Sequence, residues 1–205
     1  MTNQAPAPRE ALYRARLGRP ELVRVPEMGF VMIDGRGDPN SSPEYSEAIQ
    51  ALYAVSYTLK FALKKAQALD YRVGPLEGLW WAEDMAEFSE ARKSDWIWTM
   101  MIAQPDAVTS ERFAAARSDA KRKKGLAALD RTRLDRFTEG LCAQVLHVGP
   151  FSAEAPTIAA LHAFIRDQDF VFDGTRHKHH EIYLSDPRRS APEKLKTIIR
   201  QPVAE

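Results

Sequence analysis

The alternation of apolar and polar residues near the C-terminus predicts a strand with an unusual polar face. In residues 178–184, Ile182 and Leu184 point to one side of this strand, whereas Glu181 and Tyr183 point to the other. A carboxylate is seldom fully buried without a partner. We therefore expect Glu181 either to pair with an internal basic group or to face a ligand.

A long helical pattern follows a cluster of turn-forming residues. Ser42 suits the cap of a helix and Pro43 its first turn, so we expect a helix over residues 43–68. One apolar line along this helix has the spacing needed to pack on a sheet. A second line places aromatic residues at intervals of four: Tyr53, Tyr57 and Phe61. The second line predicts a wall at the edge of a cavity.

The order of strands and helices is repeated along the chain. The first set is a strand over 30–33, the long helix, and strands over 72–81 and 96–103; the second is a strand over 141–148, a helix over 154–166, and strands over 178–184 and 195–203. Between the sets, a solvated helix over 109–124 precedes a further strand over 131–137. This order predicts an α+β fold in which duplicated strand-helix-strand-strand modules form a pseudo-twofold antiparallel sheet, with helices on one side and a ligand groove.

The duplicated pattern also sets the expected domain limits. Residues 22–205 are predicted to form one small-molecule-binding domain. Residues 1–21 are predicted to be an N-terminal extension, disordered over the stretch rich in Ala and Pro and with a short helix within residues 10–19.

Composition narrows the classes of partner and compartment. The 205 residues carry a formal net charge of +1, with 44% hydrophobic and 28% charged residues, which argues against a protein that chiefly holds nucleic acid or an anionic membrane. The sequence has no apolar run long enough to span a membrane and no secretion signal, so we expect a cytoplasmic protein. Cys142 is the single cysteine, which suits a reducing compartment, and we interpret it as a small apolar strand residue.

Several aromatic and acidic residues are candidates to line a cavity around Glu181. Trp80 and Trp81 are adjacent in one predicted strand and point to opposite faces, so at most one of them should face the cavity. Glu77 lies in the same strand, and if it neighbours Glu181 the two would form an acid–base pair. The candidate ligand-binding residues are Glu181, Tyr183, Trp81, Trp98, Tyr57, Tyr53, Glu77 and Trp80.

Metal and cofactor sites are not expected. His177, His179 and Glu181 could share one strand face, but histidines at the end of a loop are more often solvated. The sequence contains no nucleophile elbow, phosphate-binding loop or dinucleotide fingerprint. We therefore predict neither a bound metal nor a cofactor.

Four segments of the sequence resemble one protein family. They are residues 31–39 (VMIDGRGDP), 52–61 (LYAVSYTLKF), 75–81 (PLEGLWW) and 180–187 (HEIYLSDP). In this order they are similar to the GyrI-like small-molecule-binding family, and more narrowly to its stand-alone bacterial branch, over roughly residues 22–203. The family fold is the duplicated strand-helix-strand-strand arrangement, which agrees with the element order found here.

The resemblance implies more than one function. Family members include drug-sensing domains, a protein inhibitor of DNA gyrase, and stand-alone proteins that bind or hydrolyse xenobiotics. It implies that Glu181 is the acid of an aromatic cage for hydrophobic, planar or cationic multidrug-type ligands, with Tyr183 beside it. In a hydrolase that opens the cyclopropane ring of DNA-alkylating natural products, Glu181 and Tyr183 would be catalytic. A protein-interaction module, such as a gyrase modulator, is a further alternative, and either a monomer or a homodimer is compatible with these functions.

Overall fold

The computed structural model describes residues 9–85, 90–174 and 178–204. Within them, three α-helices and eight strands of an open antiparallel sheet confirm the predicted α+β class. The strands are β1 (Glu21–Val25), β2 (Met28–Arg36), β3 (Leu76–Trp81), β4 (Ile97–Gln104), β5 (Arg133–Phe137), β6 (Gly140–Val148), β7 (His179–Tyr183) and β8 (Lys196–Pro202). The helices are α1 (Pro43–Gln67), α2 (Ser110–Lys124) and α3 (Ala155–Asp167). Residues 1–8, where disorder is predicted, lie outside the described residues.

The chain divides into two compact units. The central unit comprises Met28–Gly78 and Ala82–Phe137, and the terminal unit comprises the described parts of Met1–Glu27, Leu79–Trp81 and Thr138–Glu205. The element order β2-α1-β3-β4 is repeated as β6-α3-β7-β8. Each copy gains one further antiparallel strand, because β5 pairs with β2 and β1 pairs with β6. The repeated order read from the sequence is therefore present in the structure.

The central unit has the strand order β4-β2-β5, with α1 packed against β2 and β4. Helix α1 begins where expected, because the Ser42 hydroxyl accepts a hydrogen bond from the Tyr45 amide at 3.4 Å. It ends at Ala68, whose φ of 53° is left-handed. Its apolar line is buried at Leu52, Leu59 and Leu63, as its helical spacing predicts.

Helix α2 is the solvated helix predicted between the two sets of elements. Thr109 caps its first turn by accepting a hydrogen bond from the Arg112 amide at 3.3 Å, and Gly125 ends it in a left-handed conformation with φ of 65°. Its narrow buried side consists of Phe113, Ala116 and Ala120. That side packs on α1, and the remaining residues of α2 are mostly exposed.

The terminal unit has the strand order β1-β6-β8-β7 and carries α3 on one face. The core between α3 and this face is built from Ala143, Val145, Leu161, Ile165 and Ile199. Strand β1 is not predicted from the sequence, because its five residues are interrupted by Arg24 and it is held by pairing with β6. The expected helix within residues 10–19 is a 3-10 turn at Arg9–Tyr13.

The opposite face of the terminal unit holds a buried charged network. Arg200 donates to Glu139 Oε2 at 3.2 Å, and His180 Nδ1 lies 2.9 Å from Glu139 Oε1. Arg200 also donates to Gln144 Oε1 and to the carbonyl of Leu12. Although burial disfavours the charge, His180 and Arg200 hold the pKa of Glu139 at about 2. This network ties the N-terminal turn to the sheet.

Candidate functional site

The candidate site lies on the face of β7 that is turned toward α3. Glu181 is in register with Ile199 of β8, and Ile199 packs in the core under α3. Residues directly opposite each other in antiparallel strands point to the same face. His179, Glu181 and Tyr183 therefore share the α3 side, whereas His180 and Ile182 point to the other side.

A short chain of hydrogen bonds holds the acid and the phenol together. The Tyr183 hydroxyl donates to Glu181 Oε2 at 2.7 Å, and it accepts a hydrogen bond from the Trp80 indole N–H at 3.0 Å. Because the hydroxyl has one proton and Trp80 can only donate, this pattern sets the direction of both bonds. The structure thus brings together three of the predicted site residues.

His179 contacts the second oxygen of the same carboxylate. Its Nε2 lies 3.1 Å from Glu181 Oε1, and its Nδ1 lies 3.2 Å from the Gln201 side-chain nitrogen. The Gln201 nitrogen is a donor, so Nδ1 accepts and Nε2 carries the proton toward Glu181. Both oxygens of Glu181 therefore face hydrogen-bond donors.

A second acid, Glu154, completes the surroundings of Glu181. Burial disfavours the charge of Glu181, but hydrogen bonds with His179, Tyr183 and Glu154 lower its pKa. Glu154 immediately precedes α3 and is only 5% exposed. Its carbonyl accepts a hydrogen bond from the Ile158 amide at 2.9 Å, which fixes the backbone beside the site.

Glu154 could not be singled out from the sequence as a neighbour of Glu181, and the reason is physical. An acidic residue at the start of a helix is common, because the helix dipole favours it there, and so its position alone does not single it out. Its proximity to Glu181 arises from the packing of α3 on the sheet.

An aromatic ring and a hydroxyl border this network. The Phe151 ring meets Tyr183 edge-on, with ring centroids 5.6 Å apart. Trp81, the neighbour of Trp80 on β3, has the Lys178 ammonium 5.1 Å from the centre of its ring, and its predicted ligand role stays a prediction. Thr197 is in register with both Tyr183 and His147, so its side chain is on the same face. Its hydroxyl is buried and has no hydrogen-bond partner among the described residues.

The other predicted site residues belong to the central unit. Trp98 is fully buried, and its ring packs edge-on against Tyr45 with centroids 5.3 Å apart. Tyr53, Tyr57 and Phe61 stack along α1 at centroid distances of 6.2 and 6.4 Å. Tyr57 and Phe61 are 47% and 61% exposed, so this ridge is open to solvent. Glu77 is buried on β3. The predicted ligand roles of these residues stay predictions.

The described residues contain neither a metal-binding cluster nor a helix suited to span a membrane. Across residues 9–85, 90–174 and 178–204, no three His, Cys, Asp or Glu side chains are grouped so that they could hold a metal ion. His177, considered above as a ligand, lies outside the described residues. In the same described parts, none of the helices combines the length and hydrophobicity needed to cross a bilayer.

Comparison with known proteins settles the family. The model of the GyrI-like small molecule binding domain matches residues 19–204. This chain belongs to the GyrI-like small-molecule-binding family. The resemblance inferred from the four sequence segments is thereby confirmed. Among curated protein sequences, none matches this GyrI-like chain significantly.

Solved structures of similar length support this assignment. An uncharacterised conserved protein from Listeria innocua is 44% identical, with a TM-score of 0.88, over 96% of this chain and 97% of that one. A protein described as a hydrolase, also from Listeria innocua, is 43% identical, with a TM-score of 0.85, over 96% of both chains. The C-terminal domain of EcmrR shares the fold alone, with 12% identity and a TM-score of 0.57 over 91% of this chain and 98% of that domain.

Proposed function

We propose that this GyrI-like protein binds hydrophobic, planar or cationic xenobiotics in the cytoplasm, and that Glu181 and Tyr183 form the polar end of the site. The observation that carries the proposal is the hydrogen-bond chain from Trp80 through Tyr183 to Glu181. It places an ionised carboxylate next to aromatic rings in a largely buried position. Sites for small molecules combine apolar walls with a few oriented polar groups in this way.

The charge and the rings act on different parts of such a ligand. A carboxylate that is shielded from water attracts a delocalised cation more strongly than an exposed one does. Aromatic faces add cation–π attraction and stack on flat rings. Phe151, which packs edge-on against Tyr183 and is 37% exposed, is a ring of this unit that can supply such a face. Trp80 holds Tyr183 in place, because its indole N–H donates a hydrogen bond to the Tyr183 hydroxyl.

Hydrolysis is the second candidate function. Two Listeria innocua structures that are 42% and 43% identical to this chain are described as hydrolases. The reaction implied by family resemblance opens a strained cyclopropane: water forms a bond to a ring carbon, a ring C–C bond breaks, and its electron pair moves to a conjugated ligand carbonyl, which takes a proton. Glu181 would orient the water and accept its proton, while Tyr183 would stabilise the developing charge on oxygen.

Glu181→Gln tests both candidates. Tryptophan fluorescence would follow binding of planar cationic dyes and of a cyclopropane-containing alkylator, and mass spectrometry would report the fate of each compound. We expect the variant to lose turnover by roughly 10²- to 10⁴-fold, because general-base assistance is removed, while much of the stacking affinity remains. Affinity for cations should fall more than affinity for neutral planar compounds.

The control is Glu193→Gln, which changes an exposed acid of the same unit. Binding without chemical change in the wild type would establish a binder that only sequesters its ligands. Unchanged binding and turnover in Glu181→Gln would reject Glu181 as a site residue. No binding of any compound by the wild type would contradict the proposed function and favour a protein partner.

A further inference from the structure

We propose that two copies of this protein form a symmetric dimer in which their α1 helices pack antiparallel along an exposed aromatic ridge. The ridge consists of Tyr53, Tyr57 and Phe61 and belongs to the central unit. The inference goes beyond the proposed function and does not depend on it, because that function uses residues of the terminal unit. Its basis is the exposure of the ridge together with the charges that flank it on α1.

The ridge is an apolar surface that points away from the sheet. Its rings stack on one another at centroid distances of 6.2 and 6.4 Å, and Tyr57 and Phe61 are 47% and 61% exposed. Val55 and Leu59, two residues on either side of Tyr57, are buried, which places Tyr57 on the opposite side of the helix from the core. A contiguous exposed apolar patch of this kind is typical of an interaction surface.

The spacing of the ridge suits a second copy of the same helix. Tyr53 and Phe61 each lie four residues from Tyr57, which is about 6 Å along the helix axis. If a second α1 packs antiparallel with Tyr57 on the twofold axis, Tyr53 of each copy lies opposite Phe61 of the other. The three rings of one copy then cover the three rings of the other. This self-matching of one surface is what a symmetric twofold interface requires.

The charges beside the ridge favour the antiparallel arrangement. Glu47 and Lys65 are both exposed and lie 18 residues apart, which is five turns of helix, so they flank the ridge on the same side. Glu47 is ten residues before Tyr57, and Lys65 is eight residues after it. In the antiparallel pair, Glu47 of each copy therefore meets Lys65 of the other with an offset of only about 3 Å along the axis. A parallel pair would instead place like charges together.

These two charges are available to a second copy. Two other lysines of α1 are engaged within one copy, because Lys60 and Lys64 lie 3.3 and 2.7 Å from the carboxylate of Asp70. By contrast, no ion pair joins Glu47 or Lys65 to another residue in the described part of the chain. The dimer would give each of them a partner of opposite charge, and this contact would occur twice.

The size of the contact predicts a weak dimer. One helix face from each copy buries less than a standard interface, which covers about 1,600 Å² in total. We therefore expect a dissociation constant on the order of 10 μM. Sedimentation equilibrium over a range of protein concentrations that brackets this value measures it.

Tyr57→Asp is the variant that should break the dimer. It places two carboxylates against each other on the twofold axis and removes the central ring, so the dissociation constant should rise about 100-fold or more. Because Tyr57 is exposed, the fold should be retained, which circular dichroism and thermal unfolding check. The control is Leu17→Asp, which changes an apolar residue of the terminal unit that is 65% exposed and should leave the dimer intact.

An exchange of charges tests the antiparallel geometry. Glu47→Lys and Lys65→Glu should each raise the dissociation constant about 5- to 10-fold, because two attractive pairs per dimer become repulsive. The double variant should return to the wild-type value, since every contact again joins opposite charges. Within one copy the two positions are about 27 Å apart along α1, so this rescue cannot arise inside a single chain.

Each outcome decides the proposal. Restoration of the dimer in the double variant, together with its loss in Tyr57→Asp, would support it. A wild-type protein that stays monomeric at about 1 mM, a thousandth of the 1 M standard state, would overturn it and leave the ridge to a small ligand or a different protein. A dimer that Tyr57→Asp does not weaken would use another surface, which also overturns it. Loss in Tyr57→Asp without rescue by the double variant would reject the antiparallel arrangement.

Discussion

The two units contain the same strand-helix-strand-strand order but bury very different side chains. The central unit is filled by large apolar groups such as Ile33, Trp98 and Met101. Apart from Glu77, the buried polar side chains of its described part are neutral, such as Gln104 and Ser56, which are joined by a hydrogen bond of 3.0 Å. The terminal unit instead has acids and bases on both faces of its sheet. The strand-helix-strand-strand order can therefore form without a buried network of acids and bases. The fold alone does not explain why the terminal unit contains such groups.

The two charged clusters of the terminal unit also differ from each other. On one face, Glu139 is satisfied by His180 and Arg200, and Arg200 continues to Gln144 and the N-terminal turn. All of these groups are buried, which is typical of a structural network. On the other face, Glu181 and Tyr183 are partly exposed beside aromatic rings. We therefore propose that the first cluster stabilises the unit and that the second recognises a ligand.

The largest expected effect is on stability, from Glu139→Gln. The substitution leaves Arg200 and His180 without their buried counter-charge. Breaking such a pair costs about 3–5 kcal/mol in the free energy of unfolding. Urea unfolding followed by circular dichroism measures the change, with Glu193→Gln as the exposed control. If Glu139→Gln loses no more unfolding free energy than Glu193→Gln, the structural role proposed for this charged network is wrong.

Acidification should lower the free energy of unfolding of the terminal unit by somewhat less than Glu139→Gln does. The pKa of Glu139 is lowered from 4.5 to about 2, so its stabilisation is complete above about pH 4.5 and is lost as the pH falls toward 2. The linked change is roughly 3 kcal/mol. Hydrogen exchange should show β6, β7 and β8 losing protection before β2 and β4. Equal losses in both units, or the same pH dependence in Glu139→Gln, would contradict this account.

A smaller effect is expected from Gly35→Ala in the central unit. A Cβ at Gly35 would lie 2.1 Å from the ring of Trp98, so the indole and its neighbours must move. Overpacking of this kind costs about 1–3 kcal/mol. The matched control is Gly29→Ala on the same strand, where a Cβ meets no atom within 4 Å. Thermal unfolding should give Gly35→Ala a lower midpoint than Gly29→Ala. Equal midpoints would mean that a Cβ at Gly35 is accommodated beside Trp98 without loss of stability.

Local patterns were sufficient for much of the fold. The cap at Ser42 and the spacing of Leu52, Leu59 and Leu63 are interactions within one helix, so α1 could be predicted closely. Strand β1 could not be predicted in this way, because a short edge strand depends on its pairing with β6 more than on its own residues. For the same reason the strand expected over 72–81 begins only at Leu76, where pairing starts.

By itself, the sequence determined the α+β class, the repeated element order and the shared face of Glu181 and Tyr183, because helical and strand periodicity are local properties. Only the tertiary structure decided which groups meet that face. Trp80 reaches Tyr183 across 103 positions of sequence, and His180 reaches Glu139 across 41. Glu154 likewise joins Glu181 through the packing of α3. Such contacts depend on strand register and on how helices pack, which no short-range pattern specifies.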